Sequence, residues 1–197
     1  MRRALASAAL LATLVVAVAG CGSGGSAASV PAIVKAPPQT ARLGWSEPYP
    51  AETPALVFGV SSFTVTSDGW SARISVENRS DIGWEVGGVE HEADLAFGVM
   101  LFPNSDHDEL DRRNQSHDLP AIRPATSYVP ALPVVLGAGK TWQGTISAPG
   151  ALAGGLWVRI SFGTFFSAGV PPDGAASPVV WFTDHAYHLE EVAAEPA

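Results

Sequence analysis

Residues 103–130 hold the densest set of groups able to do chemistry. Asn104, Asp106, Asp108 and Asp111 offer oxygen ligands at short intervals, with Glu109 and Asp118 beside them. The spacing of Asn104, Asp106 and Asp108 matches the first three ligand positions of a calcium-binding loop. That loop needs Gly at its sixth position and a bidentate Glu at its twelfth. Glu109 and Gln115 stand there instead, so the segment is not an EF-hand. Arg112 and Arg113 compete for the same carboxylates. Two readings follow: a solvated charged loop, which is preferred, and weak calcium binding at Asn104, Asp106, Asp108 and Asp111. A connection this long inside a compact domain is often functional. Asp106, Arg112, Arg113 and Tyr128 make it the candidate interaction loop.

The remaining candidates for chemistry are weaker. His185 and His188 are three apart and fall on opposite faces of a strand, so they do not share a metal there. His91 with Asp94, and His117 with Asp118, fall short of a ligand pattern. Met100 is the one methionine beyond Met1, which fits poorly with a Met-rich copper site, and no His-x-His pair occurs. There is no Gly-x-Ser-x-Gly elbow, zincin motif or phosphate loop. Glu90, Glu92 and Asp94 are adjacent carboxylates beside Gly87 and Gly88, whereas glycosidase chemistry needs two carboxyls across a cleft. These residues predict surface histidines, no metal, no cofactor and no enzyme.

One further reactive group is Cys21, the single cysteine of the chain. It has no partner for an internal disulfide. It follows a short basic start, Arg2 and Arg3, and an uninterrupted apolar and small run over residues 4–20. That run is short for a spanning helix and fits the h-region of an export signal. Val18-Ala19-Gly20-Cys21 resembles the lipobox of bacterial lipoproteins. The resemblance implies cleavage after residue 20, acylation of the Cys21 thiol and a protein held at the cell membrane on its extracytoplasmic face. Acyl chains such as palmitate supply the burial that anchoring requires, about 0.8 kcal/mol per methylene.

The chain carries a formal net charge of −8, and without Arg2 and Arg3 it is about ten charges negative. Nucleic acid would be repelled. Residues 21–54 are rich in Gly, Ser, Ala and Pro and predict a tether, coil-like at first and Pro-stiffened later. Trp45 and Tyr49 are unusual in a tether and predict an entry segment packed on the domain.

Residues 55–192 make one domain's length of chain, followed by a tail over 193–197. Trp70, Ala72, Ile74 and Val76 alternate with Ser71, Arg73, Ser75 and Glu77, the period of a half-buried strand. Asp68-Gly69 predicts a hairpin into the preceding strand. There Leu56, Phe58 and Val60 share one parity and Phe63 and Val65 the other, which predicts a bulge near Ser61-Ser62. Ile82, Trp84 and Val86 alternate again. Residues 95–102 are apolar on both parities, as a central strand is. Leu156, Val158, Ile160 and Phe162 mark a late strand. No stretch shows a helical apolar period. The expected fold is all-β, an antiparallel sandwich or barrel, with Trp70, Trp84, Trp157 and Trp181 as its large core pieces.

Asn78, Ser80 and Asp81 at a strand end, then Gly139, Gly144 and Ile146, resemble the immunoglobulin-like domains of small actinobacterial envelope and secreted proteins. The resemblance implies an immunoglobulin-like antiparallel β-sandwich and a location, not a reaction. The expectation is a membrane-anchored lipoprotein acting as a non-catalytic recognition module. Its partners would be the membrane, through its lipid, and an envelope protein or polymer. The alternatives are a ligand- or calcium-binding lipoprotein and a sandwich-type proteinase inhibitor.

Overall fold

The computed structural model describes residues 34–87 and 97–191. Cys21, the lipobox, the predicted leader and the first part of the tether lie outside the described residues. So do His91, the carboxylates Glu90, Glu92 and Asp94, and the tail.

Two antiparallel sheets pack face to face, as an all-β sandwich. The first sheet is β1 (Gln39–Tyr49), β2 (Leu56–Val65), β3 (Gly69–Asn78), β9 (Thr141–Pro149) and β7 (Ser127–Val129), in that order. The second is built on β10 (Trp157–Ser167). On one side β10 pairs with β5 (Phe97–Phe102) and β4 (Trp84–Val86), which continue to β6 (Arg123–Pro124) and β8 (Val135–Leu136). On its other side lie β11 (Val179–Phe182) and β12 (Tyr187–His188), one edge strand interrupted at residues 183–186.

Alternation produces the first sheet as expected. Trp70, Ala72, Ile74 and Val76 are buried while Arg73 is exposed. The register of β2 on β3 shifts between Val60 and Ser62, and the shift lets Phe63 and Val65 rejoin Phe58 and Val60 in the core. The turn after Val65 is closed by Thr66, which bonds Gly69 through both backbone and hydroxyl. Aromatic rings join the layers. Phe58 of β2 meets Phe162 at 5.0 Å and Phe165 at 5.5 Å, both of β10, at the tilted geometries rings prefer. Trp70 and Trp84 are buried as expected. Trp181 is half-buried and stacks on Phe58 at 5.2 Å. Trp157 instead joins a smaller cluster on the outer face of the second sheet. Trp142, on β9, is the core tryptophan that alternation with Gly144 and Ile146 marks and the sequence reading passed over.

Asn78 pins the layers where β3 ends. It is buried; its amide donates to the carbonyls of Ile82, Leu136 and Gly137, and its carbonyl accepts from the Ser80 backbone and hydroxyl. Ser80 in turn accepts from the Trp84 indole at 3.1 Å.

Two expectations are corrected. The tether does not extend to residue 54, because β1 occupies Gln39–Tyr49 and pairs with β2 along its length. Leu43, Trp45 and Tyr49 pack on the core from alternate positions. Gly44, at φ +64°, supplies the left-handed residue at the register shift between Arg42 and Trp45. The second correction is a helix, α1 (His107–Gln115), where only loop is expected.

Candidate functional site

The site builds outward from β10. Alternation places Val158, Ile160 and Phe162 in the core and leaves Arg159 and Ser161 facing out, where solvent is expected. Both are buried, because residues 103–122 fold over that face. Met100, Phe102 and Leu110 form the cover's own small core, with Leu119, Ile122, Trp157 and Phe182 around them.

α1 arises from capping chemistry, since Leu110 is its one buried residue. Asp106 accepts from the backbone N–H of Asp108 at 2.9 Å and of Glu109 at 3.4 Å, the role of an N-cap. Asp108 and Glu109 sit in the first turn and Arg112 and Arg113 in the last, each sign at the end the helix dipole favours. Arg113 Nε donates to Glu109 Oε1 at 2.8 Å. That guanidinium, helped by the Asn104 side chain, holds the Glu109 carboxyl below its ordinary range. The helix ends in a paired closure: the His117 N–H donates to Asn114 O and the Asp118 N–H to Arg113 O. This closure needs a left-handed residue, normally glycine. His117 takes that place at φ +56°, with its side chain exposed.

The start of α1 is fixed by Arg159. Its guanidinium is fully buried and donates to Ser105 O at 3.1 Å, to Thr183 O at 3.0 Å and to Asp184 O. It lies 5.5 Å from the centre of the Phe102 ring, within cation–π range. Its Nε has no hydrogen-bond partner among the described residues. Burial pushes the guanidinium down from its ordinary value, against the opposing pull of Asp184 and Glu47.

Glu47 holds the same interrupted strand from the first sheet. Its buried carboxylate accepts from Trp181 Nε1 and the N–H groups of Asp184 and His185, all at 3.1 Å. His185 Nδ1 lies 2.7 Å from Glu47 Oε1, and the His185 ring stacks on Trp45 at 5.4 Å. A concavity of about 500 Å³ lies outside this clamp, beside Tyr49 and Trp181.

A larger groove of about 670 Å³ opens on the covered face. Met100, Ser161, Val180 and Phe182, from three neighbouring strands, form its floor. Leu119, Pro120, Ala121 and Ile122 form a wall, and Asn114 and His117 the rim at the carboxyl end of α1. This volume falls within the range of about 300–1,000 Å³ typical of small-molecule sites.

The candidate residues separate accordingly. Asp106 serves as a cap, Arg113 is paired within the cover and Arg112 is exposed. Tyr128 does not join them. It lies on β7, packs edge-on against Phe97 and donates to Ala125 O at 3.3 Å. Burial raises its phenol above the ordinary value. Asn104 and Asp106 are engaged in turn and cap bonds, and no group of three or more His, Cys, Asp or Glu able to hold a metal occurs among the described residues. The Asn104 and Asp106 side chains thus act within the helix start, and the geometry adds no support to the calcium reading. His117, Arg159 and Glu47 were not singled out as site residues by spacing. The Asp106-x-x-Glu109 cap pattern was the available signal for α1.

Comparison with protein-family models, with curated proteins and with solved structures finds no match to this chain.

Proposed function

We propose that this chain is a lipid-anchored, extracytoplasmic lipoprotein whose β-sandwich, of immunoglobulin-like kind, works as a non-catalytic recognition module of the cell envelope. The observation that carries the recognition reading is the groove. A long connection has folded into a cover held by a buried arginine, and the cover leaves an apolar concavity open to solvent. The anchor rests on the residues around Cys21. Among the described residues no helix is long and apolar enough to cross a membrane, and a lipid-anchored domain needs none.

The test places a photo-reactive amino acid at Ala121, in the groove wall, or at Val129, exposed on β7. Each tagged variant is irradiated in living cells, with Cys21→Ser as the anchor control. One envelope component captured from position 121, absent from position 129 and lost with Cys21→Ser, supports the reading. Equal background from both positions overturns it.

A further inference from the structure

We infer that the groove on the second sheet accepts an uncharged amphiphile, its apolar body on the sheet and a hydrogen-bonding head at His117 and Asn114. This rests on reading the groove as the recognition surface and adds the chemistry of what it recognises.

The lining decides the body. Floor and wall are aliphatic, aromatic or proline side chains apart from Ser161, and among the described residues no Asp, Glu, Lys or Arg lines the groove. Burying apolar surface there is favourable, and burying a charge is not. The rim decides the head. Polar side chains gather at one end, where α1 terminates. A helix's carboxyl end carries partial negative charge. Asp118 follows with its side chain 80% exposed. The nearby cations are engaged by carboxylates, which leaves the partial negative charge of the helix end in place. Arg113 lies 2.8 Å from Glu109 and 3.6 Å from Asp118, and Arg112 lies 3.7 Å from Glu109. An anionic head would meet repulsion, whereas a hydroxyl or amide would meet groups that donate and accept.

His117 is the second observation. A glycine would close the helix without strain, yet an exposed histidine stands in the left-handed conformation and lines the groove. An uncommon left-handed side chain that reaches a concavity points to a contact made there.

The test uses the full chain in phosphatidylcholine vesicles at pH 8. A diazirine-bearing 1-decanol is compared with the matching decanoic acid at equal concentration, and labelled residues are read by peptide mass spectrometry. The expected result is decanol labelling centred on residues 119–122 and 180–182, at least about fivefold above decanoate. Unlabelled decanol should compete it away, and Ala121→Trp should remove it. If Ala121→Trp unfolds the cover, Ala121→Glu must give the same loss. His117→Gly should reduce the preference for the alcohol while the protein stays folded. Labelling spread evenly over the chain, or decanoate labelling the groove as well as decanol, overturns the inference. A partner captured in cells from position 121 with no decanol labelling leaves the recognition reading standing and this inference fallen.

Discussion

Glu47 and Arg159 hold the same peptide segment from opposite sides. The carboxylate takes the N–H groups of Asp184 and His185, and the guanidinium takes the carbonyls of Thr183 and Asp184. Two buried opposite charges are thus coupled through backbone, without direct contact. Breaking one side of a buried charge arrangement costs about 3–5 kcal/mol, because the other side is left uncompensated. Glu47→Gln and Arg159→Met should each lower unfolding stability by about 3 kcal/mol in urea melts. The double variant should lose less than the two losses added together.

Asp184 sets a pH dependence. Partial loss of solvent at this otherwise exposed residue first, and then Glu47, raises its carboxyl above the ordinary value. The folded state therefore holds the proton at a pH where the unfolded chain has released it. Stability falls as pH rises through the window between the two pKa values. The Asp184 contribution is fully present below the ordinary carboxylate range. Asp184→Asn should flatten that part of the profile and raise stability at neutral pH relative to wild type. Urea midpoints from pH 3 to pH 7 check this. An unchanged slope would remove Asp184 as the cause.

His117→Gly should stabilise the protein by about 0.5–1 kcal/mol, because glycine adopts the left-handed conformation freely. Thermal melts read this directly. A loss of stability would mean that the side chain makes contacts worth more than the strain.

Asn78→Ala should cost about 2–3 kcal/mol, since a buried side chain satisfying several backbone groups is removed and those groups remain buried. Asn78→Asp should fare no better, because a carboxylate cannot donate to Ile82, Leu136 and Gly137. Denaturant melts of both variants test the pin.

Asp106→Ala should cost about 1 kcal/mol by uncapping α1. Calcium or a chelator should leave the melting temperature of the wild type unchanged, because Asp106 is occupied by the helix. A calcium-dependent rise abolished by Asp106→Ala would restore the metal reading.

Legibility followed the period of each strand. Trp70 to Val76 announced their face, and the parity change at Ser61-Ser62 announced the bulge, because side-chain alternation in a half-buried strand is strict. β1 was not legible. Gly44 and Pro48 carry tether composition, and its inward positions include Gln39 and Glu47, whose burial depends on partners far along the chain. The burial of Arg159 was not legible for a related reason. Alternation shows which face of β10 a residue occupies, but whether a second layer covers that face depends on residues 103–122. Those residues announce their helix by caps and charge, since Leu110 alone is buried. The groove follows from that cover, so local periodicity gives no sign of it.

The lacing of β1 bears on how the domain would carry a load. Before the strand begins, Ala36 N donates to Leu152 O, Gly154 N to Val34 O, and Lys35 pairs with Ala153. At its first residue, Gln39 accepts from Tyr187 Oη and from Glu190 N. A pull arriving from the amino-terminal side meets these stitches before it reaches the ladder between β1 and β2. Such a force would be shared between both layers where the chain enters the domain, as a seam is reinforced where the thread leaves the cloth.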